Sequence, residues 1–301
     1  MRVTCRVWNI KMDKTEHFPL SLMPMRSLSL RLARSAIRMH HNARWRIDKL
    51  NPVHDLIVCL TGRGRYWIGE EEFTLEPGEA MLIPAYRRFR GRHDSGAEDY
   101  TGVAQHFSLD LFGRGDVISQ MRLRRKARFA DWAGMEPLVR HYRETSPRAT
   151  TTLSQHHAFM VLLLAHLEQA FDGWQTDDHA PESQDQLSLH IMFVASRLSS
   201  DPLGAGVEEA LASVPYNPDY FRRAFRDRMG MTPMKFREFK RMEFAANRLG
   251  MGLSVKEAAL ELGFSDPYFF SRMFKRHIGD SPSRYCLSRG GTPPPGSDLE
   301  P

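Results

Sequence analysis

The chain has 301 residues, of which 42% are hydrophobic and 26% charged, with a formal net charge of +6 and a pI near 9.3. Such a composition allows two domains and a sizeable core, and the basic excess suits a polyanionic partner. Three scattered cysteines, Cys5, Cys59 and Cys286, indicate neither a disulfide framework nor a zinc cluster and fit a reducing, cytoplasmic setting. The longest apolar run, Phe159 to Leu167, is interrupted by His166 and is too short to span a bilayer, so no membrane partner is expected.

Residues 1 to 27 show no clear period. From Leu28 to Phe107 short β-type runs alternate with glycine-containing turns. His54 to Leu60 reads as an apolar strand, Thr61-Gly62-Arg63-Gly64 as a turn, and Arg65 to Ile68 as a second strand ending at Gly69-Glu70. Phe73 to Leu75 leads through Glu76-Pro77-Gly78-Glu79 into Ala80 to Ile83, and Tyr100 to Leu109 supplies a further strand. Strands this short and closely spaced predict a small antiparallel barrel.

Arginines crowd this β region. Arg63 and Arg65 share a face by alternation, as do Arg88, Arg90 and Arg92 if that segment is extended. With Arg44 and Arg46 they form either an inward fork for a carboxylate or phosphate, or a solvated outer face. Tyr66 and Trp67 could stack on a sugar ring or simply fill the barrel. Arg44, Arg46, Arg63, Arg65, Tyr66, Trp67, Arg88 and Arg90 are therefore the candidate effector contacts. His40, His41, His54, His93 and His106 lack ligand spacing and stay unassigned.

From Ile118 the period turns helical, with a short helix over Glu136 to Thr145 and a long one over Leu153 to Phe171. Leu153, His157, Met160, Leu164, Leu167 and Phe171 follow a helix-packing seam, read as a homodimer contact or as burial within one subunit. Residues 173–184 are polar and contain Pro, as a linker does, and 290–301 read as a disordered tail. Domains are placed at 28–172 and 185–289.

In the C-terminal domain one stretch occurs twice. Asn217 to Phe236 (NPDYFRRAFRDRMGMTPMKF) and Asp266 to Tyr285 (DPYFFSRMFKRHIGDSPSRY) align at an offset of forty-nine. The offset superposes Pro218 on Pro267, Phe221 on Phe270, Arg223 on Arg272, Phe225 on Phe274, Gly230 on Gly279, and Pro233 on Pro282. Each copy is a helix closed by glycine, with a Pro-initiated helix after it. A short helix before each copy, Val207 to Val214 and then Ser254 to Leu262, makes two helix-turn-helix units joined by Met234 to Leu249. Ser254-Val255-Lys256-Glu257 is a capping box. Fifteen Lys/Arg stand against eight Asp/Glu from Pro218 to Arg289.

The stretch ALELGFSDPYFFSRMFKRHIGDSPSRY resembles the signature of the AraC/XylS family. The β-domain words LIVCLTGRGRYWI and LEPGEAMLIPAYRRFRG are similar to that family's cupin-like effector domain. The resemblance implies an α+β chain: a cupin-like antiparallel barrel with dimerisation helices, then an all-α domain with two helix-turn-helix units. It implies double-stranded DNA, a small-molecule effector and RNA polymerase as partners, and more usually activation. Metal-binding cupins carry His-x-His and a later His. Phe89 stands at the later position here, so neither metal nor cofactor is expected, and a metal-dependent cupin enzyme is the alternative reading.

The family's DNA-contact positions fall on Asp219, Arg222 and Arg223 in the first recognition helix. In the second they fall on Pro267, Tyr268, Ser271 and Arg272, with Arg226 and Lys275 as repeated phosphate-side charges. Arginines suit bidentate bonds to guanine, and Tyr268 suits a thymine methyl or a phosphate. Asp219 can accept from cytosine or merely favour the helix N-terminus. Two departures concern the first unit: Pro215 at the usual turn glycine, and Leu211 or a neighbour where a small Ala is expected.

Overall fold

Period-two patterning produces antiparallel strands through most of the first part of the chain. The computed structural model describes residues 18–94, 98–147, 150–175, 186–204 and 206–288. Two compact units divide the chain, Met1–Ser188 and Leu189–Pro301.

In the first unit, β1 (Leu28–Leu32), β9 (Tyr100–Leu111), β4 (His54–Thr61), β7 (Glu79–Ile83) and β11 (Lys126–Arg128) form one sheet in that order. β2 (Ile37–His41) also pairs with β9. A second sheet runs β3 (Arg46–Leu50), β8 (Arg88–His93), β5 (Gly64–Ile68), β6 (Glu71–Leu75). Residues from both sheets, among them Ile57, Tyr66, Met81, Phe89 and Tyr100, share one core, as expected of a cupin-like barrel. β4 is buried from His54 to Leu60, and apolar from Leu56 to Leu60, because it is central in its sheet and α1 (Trp132–Thr145) packs against it. The Glu76–Glu79 turn closes with the Glu79 amide donating to the Glu76 carbonyl at 3.0 Å, and Gly78 at φ +83° permits it.

The expected change to helix at Ile118 comes later than the sequence reading placed it. Met121–Leu123 (β10) and β11 are three-residue strands whose arginine-rich text has no period, and β10 pairs with β12 (Phe171–Trp174). Helix α1 begins four residues before Glu136, because the Asp131 carboxylate caps the Gly134 amide at 3.0 Å. The linker expected at 173–184 begins inside β12; residues 176–185 and the tail 290–301 lie outside the described residues.

The long helix α2 (Leu153–Ala170) opens with a capping box between Thr152 and Gln155. Of the expected seam only Leu167 is buried; Met160, Leu164 and Phe171 are half-buried, and His157 and Leu153 (73%) are exposed. The buried face of the helix is carried instead by Phe159, Leu162, Leu163 and His166 together with Leu167, and Val161 is 50% exposed.

The second unit is helical: α3 (Gln186–Ser200), α4 (Val207–Ala212), α5 (Pro218–Met229), α6 (Pro233–Gly250), α7 (Val255–Glu261), α8 (Pro267–Ile278) and α9 (Pro282–Ser288). The connecting helix α6 packs against α4, α5, α7, α8 and α9. No described helix is long and apolar enough to cross a membrane.

Candidate nucleic-acid interface

Two twelve-residue helices, α5 and α8, are built alike. Asn217 Oδ1 accepts from the Asp219 and Tyr220 amides at 3.0 and 3.3 Å; Asp266 Oδ1 accepts from the Tyr268 amide at 2.8 Å. Proline follows each cap, where its missing N–H costs no bond. Each helix ends at a left-handed glycine, Gly230 at φ +73° and Gly279 at φ +99°. Phe221, Phe225, Phe270 and Phe274 are fully buried, which fixes the opposite face outward. The aromatic packing repeats as well: Phe225 meets Phe236 edge-on at 5.8 Å, and Phe274 meets Tyr285 edge-on at 5.6 Å, again forty-nine positions on.

On the outward faces, Asp219, Arg223 and Arg226 of α5 stand at the places of Tyr268, Arg272 and Lys275 of α8, and all six are exposed. Tyr268 is 82% exposed. Arg272 lies 5.9 Å over the Phe269 ring, Ser271 Oγ donates back to the Pro267 carbonyl at 2.8 Å, and Pro267 occupies the exposed N-terminal turn. Arg226 has one distant carboxylate, Asp227, at 3.9 Å.

Arg222 differs from the other candidates. Its Nη2 lies 2.6 Å from Glu208 Oε2 on α4, and its Nη1 lies 2.9 Å from Asp219. The hydrogen bond with Glu208 raises the guanidinium pKa above its ordinary value. Arg222 and Asp219 are therefore already partnered, and Arg223 is the exposed counterpart of Arg272. Two more basic residues of the linking helix are also engaged: Arg237 donates to the Gly204 carbonyl at 3.0 Å, and Lys240 lies 2.7 Å from Glu243.

The two turns differ, in a way that corrects the alignment around Pro215. The counterpart of the turn glycine, Gly263 (φ +73°), is Val214, and Pro215 stands at the place of Phe264. Ser213 closes α4 in the right-handed region, so the first turn uses no left-handed residue. Tyr216 takes over the aromatic role one position later. It stacks on Phe221 at 5.9 Å, as Phe264 packs on Phe270 at 5.5 Å. The small residue expected in the first unit is also present: Ala210, the counterpart of Ala259, is fully buried. In the second helix-turn-helix unit Arg241 of α6 donates to the carbonyl of Leu262, which caps the end of α7, and covers the Phe264 ring at 5.2 Å.

The effector candidates of the first unit do not line its interior. Along β8, Phe89, Gly91 and His93 point inward and Arg88, Arg90 and Arg92 outward. The inward register is set by close packing, since a Cβ on Gly91 would lie 2.8 Å from the Trp45 ring and 3.0 Å from Tyr66. Arg46, Arg65 and Trp67 share the outer face through cross-strand register. Arg44 and Arg63 lie in exposed turns, and Arg63 and Arg65 both pair with Asp94, at 3.3 and 2.6 Å. Of the set only Tyr66 faces inward, where its hydroxyl meets that of Tyr100 at 2.8 Å and burial pushes both phenols up.

A polar cluster in that interior escaped sequence reasoning, because its members come from three strands and a loop. Asp55 Oδ2 accepts from Asn51 at 3.1 Å and lies 3.3 Å from both Lys49 Nζ and His106 Nε2. Buried Asp55 Oδ1 has no hydrogen-bond partner among the described residues. Toward the aromatic side, His41 stacks on Trp45 at 4.2 Å, and burial lowers its pKa to about 4 with His40 and His93 adding to the shift. Among the described residues no group of three or more His, Cys, Asp or Glu side chains is placed to hold a metal ion.

Two glycine-closed recognition helices joined through one central helix define a double helix-turn-helix DNA-binding unit. The profile of the helix-turn-helix domain family matches residues 211–287, an AraC-type domain at the C-terminus. The uncharacterized transcriptional regulatory protein YesN of Bacillus subtilis is 35% identical over 121 residues, 38% of this chain and 33% of its own length. The raffinose operon transcriptional regulatory protein RafR of Pediococcus pentosaceus is 28% identical over 110 residues, 36% of this chain and 39% of its own. A solved structure of a probable AraC family transcriptional regulator from Rhodopseudomonas palustris is 25% identical, covering 34% of this chain and 97% of that one, with a TM-score of 0.31. The chain thus spans little more than a third of the length of the two curated regulators it matches.

Proposed function

We propose that the chain is a ligand-responsive transcription regulator of the cytoplasm that reads two successive major-groove segments with α5 and α8. The observation that carries this reading is the repeated exposed arginine, Arg223 and Arg272, on two helices that each open on a side-chain cap and a proline and close on a left-handed glycine. Each arginine can make a bidentate bond to guanine, while Arg226 and Lys275 neutralise phosphates. The connecting helix α6, eighteen residues and about 27 Å long at 1.5 Å per residue, holds the two readers as one body. Their two segments would lie about 34 Å apart, one helical turn. The test is selection of binding sites from random duplexes by the full chain. A bipartite site should emerge, and each half should relax in Arg223→Ala or Arg272→Ala; recovery of no preferred sequence defeats the reading.

The effector is assigned to the interior of the first unit, where buried Asp55 and Asn51 and half-buried Lys49 and His106 offer a polar set on the same core as Tyr66 and Tyr100. Asp55 Oδ1 would accept from a hydroxyl and Lys49 would donate, chemistry that fits a small polyhydroxylated molecule such as a sugar or sugar acid. RafR carries the name of a sugar operon. Binding would shift populations between states of different DNA affinity or polymerase contact, with activation as the outcome. The exposed Leu153 and Val161 of α2, with the half-buried Met160 and Leu164 beside them, are the proposed homodimer contact.

A further inference from the structure

The outer face of the sheet β3-β8-β5-β6 carries an arrangement that a self-sufficient sheet would avoid. Arg46, Arg92 and Arg65 stand directly opposite one another across three strands, and Arg90 and Arg88 extend the row along β8. Like charges in opposed positions destabilise a sheet. Two carboxylates share the face, Asp48 and Glu72, and both are committed. Asp48 takes both nitrogens of the Arg88 fork at 2.8 and 3.1 Å; Glu72 binds Trp67 Nε1 at 3.2 Å and lies 3.5 Å from Arg65. Arg65 is further held by Asp94 at 2.6 Å. Arg46, Arg90 and Arg92 have no carboxylate within ion-pair distance among the described residues; Arg46 donates to the Ala43 and Trp45 carbonyls at 3.2 and 2.8 Å.

Trp67 organises the two free guanidinium groups of β8, which lie 5.9 Å (Arg90) and 5.1 Å (Arg92) from its ring. Stacking on an indole restricts an arginine without consuming its hydrogen-bond donors. The result is an exposed grid of cations, spaced about 6.7 Å along a strand and about 4.8 Å between strands. An open grid suits a repeating anion better than one small carboxylate, which binds in an enclosed concave site.

We infer that this face is a second nucleic-acid contact, holding the phosphate backbone of duplex DNA through Arg46, Arg90 and Arg92. The inference rests on the DNA-binding reading of the second unit, which brings a duplex to this unit at high effective concentration. The contact is to phosphates and carries no base preference, so it sets affinity and salt dependence only.

The test uses the full chain and a 60-base-pair random-sequence duplex (a length of roughly six helical turns), with affinity followed against salt. Three forms are compared with the unsubstituted chain: Arg46→Gln with Arg90→Gln and Arg92→Gln; a control removing equal charge from exposed Arg34, Arg114 and Arg122; and Arg223→Ala with Arg272→Ala. Thermal melting confirms that each is folded. The face variant should lower the magnitude of the log K against log salt slope by about 0.9 for each phosphate no longer neutralised, about 2.7 in all, with the control near the unsubstituted slope. Equal slopes for the face variant and the control overturn the inference. So does binding to anionic phosphatidylserine vesicles that depends on the three arginines while the DNA slope does not. Failure of the helix-turn-helix reading registers separately, in the selection of binding sites from random duplexes, as an unaltered preferred sequence for Arg223→Ala with Arg272→Ala.

Discussion

Arg222 and Glu208 form an ion pair of 2.6 Å that ties the first recognition helix to the helix before it. Asp219 reinforces it from the other side at 2.9 Å. Of two adjacent arginines on α5, one therefore braces the unit and the other faces outward.

Substitution should separate these roles. Arg223→Ala and Arg272→Ala should each cost about 1–3 kcal/mol of discrimination at one half of the site, the worth of a bidentate guanine contact. Arg222→Ala should lower the melting temperature of the second unit and change base preference less than either. Competition between matched and mismatched duplexes measures this; equal relaxation by Arg222→Ala would place that residue on the DNA instead.

The turns should respond unequally to glycine chemistry. Gly263 sits at φ +73° with open space where a Cβ would go, so Gly263→Ala should cost about 1–2 kcal/mol from backbone strain alone. Val214→Gly should bring no gain, because the first turn has no left-handed residue to relieve. Denaturant unfolding of both variants reads the difference, and a stabilising Val214→Gly would contradict the described turn.

A third expectation concerns His166, fully buried in α2 with neither ring nitrogen hydrogen-bonded among the described residues. Burial lowers its pKa from 6.5 to about 3, with the Arg124 charge acting in the same direction. The unfolded state therefore binds a proton that the folded state refuses. Stability is full above about pH 6.5 and is lost as pH falls towards 3, by up to about 1.4 kcal/mol per pH unit. His41 acts in the same direction down to about 4. His166→Met should raise the melting temperature of the first unit, more at pH 5 than at pH 8, and leave the slope due to His41; an identical pH dependence in variant and parent would refute this.

The exposed half of α2 leads to a fourth outcome. Val161→Glu with Leu164→Glu should convert a dimer to a monomer in sedimentation or light scattering while the first unit still melts cooperatively. A monomeric parent chain would remove the basis for the contact.

Much of the second unit was legible because its information is local and repeated. Caps, prolines, closing glycines and buried phenylalanines recur at one offset, and the structure places each in its expected part. The Arg222–Glu208 pair was not legible, since it joins two helices across fourteen positions whose spacing has no helical meaning. In the first unit, alternation showed that Arg88, Arg90 and Arg92 share a face but could not say which. The choice was made by Gly91, whose lack of a side chain lets Trp45 and Tyr66 close over the inner side. The Asp55 cluster was hidden for a similar reason: Lys49, Asn51, Asp55 and His106 meet only once β3, β4 and β9 are folded together.

The central claim is sequence-specific reading of DNA by two equivalent helices, and its most direct measurement is the affinity of the full chain for its selected duplex against a scrambled duplex across a range of salt. Discrimination that persists as overall affinity falls with salt, and that weakens at one half-site in Arg223→Ala and at the other in Arg272→Ala, is the predicted result. Equal affinity for both duplexes at every salt concentration would contradict it.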